Sequence, residues 1–296
     1  MKLSQAISIL RERQTLAGHA PTTKRSYEAA VLQFIRCFPS DTSTNHNMTG
    51  AIESYLSAMR SFCSAATVNL HIDALRFFFD KALCKDMQYG GVMPGIKHLK
   101  ADKPLPRVHS KEECLALIDQ TRNTKHRLLL GICYGCGLRV SELCSLRVAD
   151  VSLDRMQVVV RKGKGGKDRS VPLPMMCADL FETVCYGYGS LEYVFSGRKG
   201  GVYSSMSASK VYRAACNRIG VVGSGIHTLR HSFATHLIES GHDIEVVRRL
   251  LGHGSVKTTQ RYTHISTRFL ADVKSPLDDT MADVGESRRK LYKLAV

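Results

Sequence analysis

Four separated stretches hold most of the side chains that could do chemistry together. They are Gly137-Leu138-Arg139-Val140-Ser141-Glu142-Leu143, the basic turn Lys162-Gly163-Lys164-Gly165-Gly166-Lys167-Asp168, His227-Thr228-Leu229-Arg230-His231, and Leu250-Leu251-Gly252-His253, with Tyr262 nine residues further on. Two guanidiniums can fork onto the nonbridging oxygens of one phosphodiester and stabilise the charge of a pentavalent transition state. A phenol can then attack phosphorus directly. With an ordinary pKa of about 10 it is a weak nucleophile, so a histidine and the arginine field must favour loss of its proton. The leaving 5′-oxygen needs a proton in turn, and a mobile lysine can supply it. The spacings agree with this reading. His227 and Arg230, three apart at a helix start, share a face, and His253 follows a glycine at a helix end, where the chain can turn it inward.

Other phosphate chemistries fit less well. There is no obvious carboxylate cluster to hold Mg²⁺. The Gly/Lys-rich turn at 163–167 lacks the spacing and the following helix start of a nucleotide-binding P-loop. A metallo-hydrolase built on His227, His231, His236, His253 and Cys133-x-x-Cys136 would need an H-E-x-x-H or a paired CxxC pattern, and neither is present. The expectation is therefore a reaction without metal or cofactor.

The elements that must position these residues can be read from periodicity. Thr22 or Thr23 caps a helix over 24–37, and helices over 51–62 and 64–84 complete an all-α first module. The stretch 39–50 reads as a polar loop, and Phe77-Phe78-Phe79 as packing. Residues 100–108, basic with two prolines, read as a linker. Beyond it, Ser110 with Glu113 forms a capping box, and helices follow to Thr121, over 125–136 and over 139–146. Strands at 156–161 and 169–173 make a hairpin with a basic tip, and Tyr193-Val194-Phe195 reads as a short strand. Helices over 207–219, 229–240 (capped by Thr228), 244–251 (capped by Asp243) and 256–262 (capped by Ser255) complete the reading.

Composition bounds the rest. The 296 residues carry 42 Lys+Arg against 26 Asp+Glu, a formal charge of +16, with 44% hydrophobic residues. That is globular, not disordered, and is sized for two domains. The excess of positive charge suits a polyanion, nucleic acid first. No apolar run approaches a membrane span or a signal peptide. The ten cysteines, most of them inside apolar helical patterns, are expected as buried, reduced thiols.

On these residues the sequence resembles the tyrosine recombinase (phage integrase) family over nearly the whole chain. The resemblance rests on Gly137-Leu138-Arg139-x-x-Glu142-Leu143, the Gly163-Lys164-Gly165 hairpin, His227-x-Leu229-Arg230-His231, Leu250-Leu251-Gly252-His253, Thr258-Thr259 and Tyr262-Thr263-His264. It implies a mainly α fold with a small β-hairpin or sheet (α+β), with the two domains forming a clamp around DNA. Residues 1–99 would be a helical, SAM-like core-binding domain, 100–108 the linker, 109–274 the catalytic domain and 275–296 a tail that could be donated to a neighbouring protomer through Leu291, Tyr292 and Leu294. The implied activity is site-specific DNA strand exchange through a 3′-phosphotyrosine and a Holliday junction, serving integration, excision or resolution, with a mobile element as the leading context.

The resemblance also implies roles. Tyr262 is the nucleophile, Arg139 and Arg230 bind the scissile phosphate, Lys164 protonates the 5′-oxygen, His227 handles the tyrosine proton and His253 bonds a nonbridging oxygen. Glu142 would be a structural acid behind Arg139, and His231 and His264 supporting groups. Lys162 or Lys167 could replace Lys164, and Arg169 either contacts phosphate or is solvated. The implied partner is double-stranded DNA with inverted-repeat core sites. On synapsed DNA the protein would be a homotetramer or heterotetramer, otherwise a monomer or dimer, in the bacterial cytoplasm at the nucleoid. Starting almost directly at the core-binding domain, the chain resembles the compact, Xer-like members. A DNA-binding protein with a dead site and a topoisomerase-like relaxing enzyme are the rival readings.

Overall fold

The computed structural model describes residues 3–37, 45–83, 93, 95–100, 106–161, 168–197 and 200–262. The chain divides into two compact units between Pro104 and Leu105. Both are mainly helical, and among the described residues no helix is long and apolar enough to cross a membrane.

The first unit contains α1 (Leu3–Leu16), α2 (Pro21–Cys37), α3 (Asn45–Arg60) and α4 (Ala65–Phe77), the last continuing into a π-helical turn, Phe78–Ala82. Leu10, Val31, Phe34, Ile52, Met59, Ile72, Leu75, Phe78 and Phe79 form its core, each such side chain contributing about 1.5–3 kcal/mol of transfer free energy. Ser64 caps α4 by accepting from the Thr67 N–H at 3.3 Å. Two helix starts differ from the sequence expectation. Helix α2 begins at Pro21, whose fixed φ and missing N–H suit the first helical position. Helix α3 begins at Asn45, inside the stretch expected to be a loop. Helix α1, not among the helices expected above, buries Ile7 and Leu10 in this core.

The second unit opens with α5 (Lys111–Asp119), whose capping box is present as expected: Glu113 N–H to Ser110 Oγ at 3.1 Å, and Ser110 N–H to Glu113 Oε2 at 3.0 Å. Then come α6 (Thr124–Gly135), α7 (Val140–Cys144) and a three-stranded antiparallel sheet, β1 (Val151–Ser152), β2 (Gln157–Val160) and β3 (Arg169–Pro172), in that order. Helices α8 (Met175–Cys185), α9 (Ser205–Ile219), α10 (His227–Glu239), α11 (Ile244–Leu251) and α12 (Val256–Thr259) follow, ending in a 3₁₀ turn, Gln260–Tyr262. The expected strand at 193–195 is reduced to a single bridge between Tyr193 and Arg147. Thr228 does not cap α10. The chain already turns at Gly225, whose carbonyl takes the Thr228 N–H at 2.9 Å, and the Thr228 hydroxyl is spent on Ser224.

The register Val158↔Val171 and Val160↔Arg169 puts Arg169 on the same sheet face as three buried valines. A core of Leu128, Leu129, Leu143, Val158, Val171, Phe195, Tyr212 and Leu229 holds α6, α9 and α10 against this sheet. Cys114, Cys133, Cys136, Cys144, Cys177, Cys185 and Cys216 are buried free thiols, Cys37 is exposed and Cys63 half-buried. Burial pushes Cys133 up to about 12 and Cys136 well above its ordinary value, so neither is a thiolate at neutral pH.

Candidate active site

Three features of the second unit converge on one pocket. The turn between α6 and α7 brings Arg139. The first turn of α10 brings His227, Arg230 and His231. The end of α11 and the turn after α12 bring His253 and Tyr262. These six side chains, with Pro106 and Thr258, line a cavity of about 170 Å³. Lys164, with Lys162 and Lys167, lies outside the described residues, as do His264 and the tail at 275–296.

Local backbone geometry explains the convergence. Gly137, at φ 60°, breaks the chain between α6 and α7, and a Cβ there would stand 2.3 Å from Phe233. Its carbonyl accepts from Arg230 Nη1 at 2.6 Å, so the turn that carries Arg139 is tied to α10. Glu142, at the third position of α7, accepts the Arg139 N–H at 2.8 Å and Arg139 Nη1 at 2.7 Å. Burial opposes the ionisation of Glu142, but hydrogen bonds from Arg169 and from the Arg139 backbone, with the Arg169 charge, bring it down to about 2. It is a carboxylate at any working pH.

Arg230 is 4% exposed. Burial, then Arg139, lowers it to about 10, with Glu142 pulling the other way, and it stays charged at neutral pH. It spends Nη1 on Gly137 and Nη2 on the Leu251 carbonyl (2.6 Å), with His253 Nε2 at 3.2 Å. Arg139 is more open and gives Nη2 to the Gly252 carbonyl at 2.9 Å. Each guanidinium has five N–H groups, so both keep donors for an anion in the pocket.

Tyr262 is nearly buried, its ring packed with Phe233, Ala234, Val247 and Leu251. Its hydroxyl meets His231 Nδ1 at 2.8 Å, and the His253 ring stacks on its face at 6.4 Å and 13°. His231, not His227, thus holds the phenol. The two histidines are one helical turn apart on α10, and Tyr262 docks over the second turn. His227 is exposed at the pocket mouth, and surrounding protein, then Arg230 and Arg139, lowers its pKa. His253 is pushed down to about 4 by burial and by Arg230, Arg139 and Arg169. It is therefore neutral at pH 7. With Arg230 donating to Nε2, its proton sits on Nδ1, facing Thr259 Oγ1 at 3.0 Å.

Arg169, expected either on phosphate or in solvent, has a side chain only 9% exposed and is not solvated. It forks onto Glu142, a role the hairpin alternation signals once Val171 is assigned to the inner face. His236, one candidate metal ligand, instead bonds the Tyr134 hydroxyl at 2.9 Å. Among the described residues no group of three His, Cys, Asp or Glu side chains could hold a metal ion.

The model of the phage integrase family matches residues 107–268, and that of the phage integrase N-terminal SAM-like domain matches 7–89. The chain is 32% identical over 273 residues to "Tyrosine recombinase XerA" of Pyrococcus horikoshii, covering 90% of this chain and 92% of the relative. It is also 32% identical over 317 residues to "Integrase/recombinase" of Escherichia coli, covering 91% and 92%. Among solved structures, a XerA recombinase matches with TM-score 0.52 at 27% identity, covering 92% of this chain and 97% of that one. A lambda integrase dimer bound to a COC' core site shares the fold with TM-score 0.71 at 20% identity, covering 88% and 95%.

Proposed function

The chain belongs to the phage integrase family of tyrosine recombinases, and from that premise we propose how its pocket cuts and rejoins DNA. It is a tyrosine-type site-specific recombinase, and its partner is DNA. The observation that carries the residue assignment is the meeting of Arg139, Arg230, His253 and Tyr262 in one cavity, with His231 on the phenol.

In the proposed reaction the scissile phosphate enters between Arg139 and Arg230, whose remaining N–H donors take the nonbridging oxygens. Tyr262 Oη attacks phosphorus and the P–O5′ bond breaks, leaving a 3′-phosphotyrosine and a 5′-hydroxyl. The phenolic proton passes to His231, with His227 at the pocket mouth as the route to solvent. The 5′-oxygen takes its proton from Lys164. His253 needs only a tautomer exchange to serve: Thr259 then donates to Nδ1, and Nε2–H turns from Arg230 to the phosphate. The protein–DNA ester keeps the energy of the bond it replaced, so a 5′-hydroxyl from another strand reverses the step without ATP.

The wider reading is part of the same proposal. Four protomers hold two duplexes with inverted-repeat core sites and exchange strands in pairs through a Holliday junction. The protein acts on nucleoid DNA in the cytoplasm, moving or resolving a mobile element. The experiment is recombination of a plasmid carrying two copies of the site from DNA flanking the gene, in EDTA and without ATP. Deletion or inversion products support the reading. Relaxed plasmid without recombinants would favour the topoisomerase-like alternative.

A further inference from the structure

Like any helix end, the last turn of α11 leaves carbonyls without helical partners. Gly252, at φ 61°, closes the helix in a Schellman arrangement: its N–H donates to the Arg249 carbonyl at 3.0 Å and the His253 N–H to the Arg248 carbonyl at 3.1 Å. The next three carbonyls take three arginines from three other elements. Leu250 accepts from Arg169 Nε at 2.7 Å, Leu251 from Arg230 Nη2 at 2.6 Å and Gly252 from Arg139 Nη2 at 2.9 Å. The negative end of a helix suits such a gathering.

Two of these arginines line the pocket, and the third does not. Arg169 aims its other edge at Glu142, Nη1 to Oε1 at 2.9 Å and Nη2 to Oε2 at 2.7 Å. Both Arg169 and Glu142 have side chains 9% exposed. The same two carboxylate oxygens receive Arg139, through its side chain and its N–H, and Arg230 Nη1 stands 3.9 Å from Oε2. Three like charges are thus held close together by one carboxylate and one helix end. Their mutual repulsion favours any rearrangement that lets them part. A fork constrains the plane of the carboxylate as well as its distance, and Arg139 hydrogen-bonds to the same two oxygens.

We infer that Arg169 is a positioning residue for strand cleavage, setting the Glu142 carboxylate and the end of α11 against which Arg139 and Arg230 are aimed. This rests on the proposed reading in which those two arginines hold the scissile phosphate. Arg169 itself is not among the residues that line the pocket. A lysine in its place would keep the charge and lose the fork.

The test is the single-turnover rate of protein–DNA adduct formation on a nicked suicide duplex in EDTA, with duplex Kd and Tm measured alongside. Arg169→Lys should slow the adduct by about tenfold to a hundredfold, the cost of a misaimed reacting geometry, with duplex affinity unchanged. Combined with Glu142→Gln, the loss should be no greater than the larger single loss, because both changes break one unit. If that double variant does not fold, Glu142→Asp with Arg169→Lys carries the same comparison. Arg169→Lys at the wild-type rate, or losses that multiply, would overturn the inference. The wild-type lane separates the two readings. Wild type and Arg169→Lys cleaving equally sinks only the role of Arg169, whereas wild type forming no adduct sinks both.

Discussion

The Nδ1 atom of His231 stands 2.8 Å from the phenolic oxygen of Tyr262. At that distance His231 is placed to take the proton as the phenol becomes a nucleophile. His231→Ala should slow adduct formation by about a hundredfold or more, the usual range for a lost general base. His227→Ala, which removes a ring at the pocket mouth, should cost less. Single-turnover rates of the two variants across pH 6 to 9, a range of about three units around the ordinary histidine and phenol values, decide the order.

Arg230 and Arg139 should separate by their effect on folding. If the two guanidiniums hold the scissile phosphate as proposed, either change to alanine removes a transition-state donor, an effect of about a hundredfold to a thousandfold on cleavage. Arg230 is buried and also satisfies the carbonyls of Gly137 and Leu251, so Arg230→Ala leaves two buried acceptors unpaired and should lower Tm clearly. Arg139→Ala should lower Tm less. Calorimetry on both variants checks this.

Gly252→Ala forces a side chain onto a left-handed residue, at about 1–2 kcal/mol. The new Cβ would also sit 3.1 Å from Arg169 Cδ and Nη1. The expected outcome is a lower unfolding free energy in urea together with slowed cleavage, because the same residue closes α11 and presents its carbonyl to Arg139.

Stability should fall on acidification in two stages. His253 is depressed from 6.5 to about 4, so between those values the unfolded chain binds a proton that the folded chain does not. The stability is fully present above 6.5 and is lost as pH falls toward 4. Glu142, depressed from 4.5 to about 2, adds a second loss below 4.5. Thermal melts from pH 7 downward should show both, and His253→Gln should reduce the first, to which the lowered His71, His126, His227 and His236 also contribute.

The parts of the sequence that read truly were those with local chemistry. The Ser110–Glu113 box and the Asp243 cap on α11 depend on residues two or three positions apart, and the hairpin of β2 and β3 on neighbours in one short stretch of chain. What was illegible depends on distant partners. Thr228 has the type of a cap, but Ser224 takes its hydroxyl. The stretch at 45–50 is polar and still helical, because the rest of α3 packs Ile52, Tyr55 and Met59 into the first core. At the site, the motif residues were visible as motifs. That Arg169 turns inward to Glu142, and that His231 lies under the phenol, follow from sheet register and helix phase, which the motifs alone do not carry.

The central claim is that Tyr262 is the nucleophile. The most direct measurement traps the protein on a nicked suicide duplex in EDTA, digests the adduct and locates the DNA-linked residue by peptide mass. The expected result is a 3′-phosphoryl link on Tyr262, with Tyr262→Phe still binding the duplex and forming no adduct. An adduct on another residue, or cleavage by Tyr262→Phe, would contradict it.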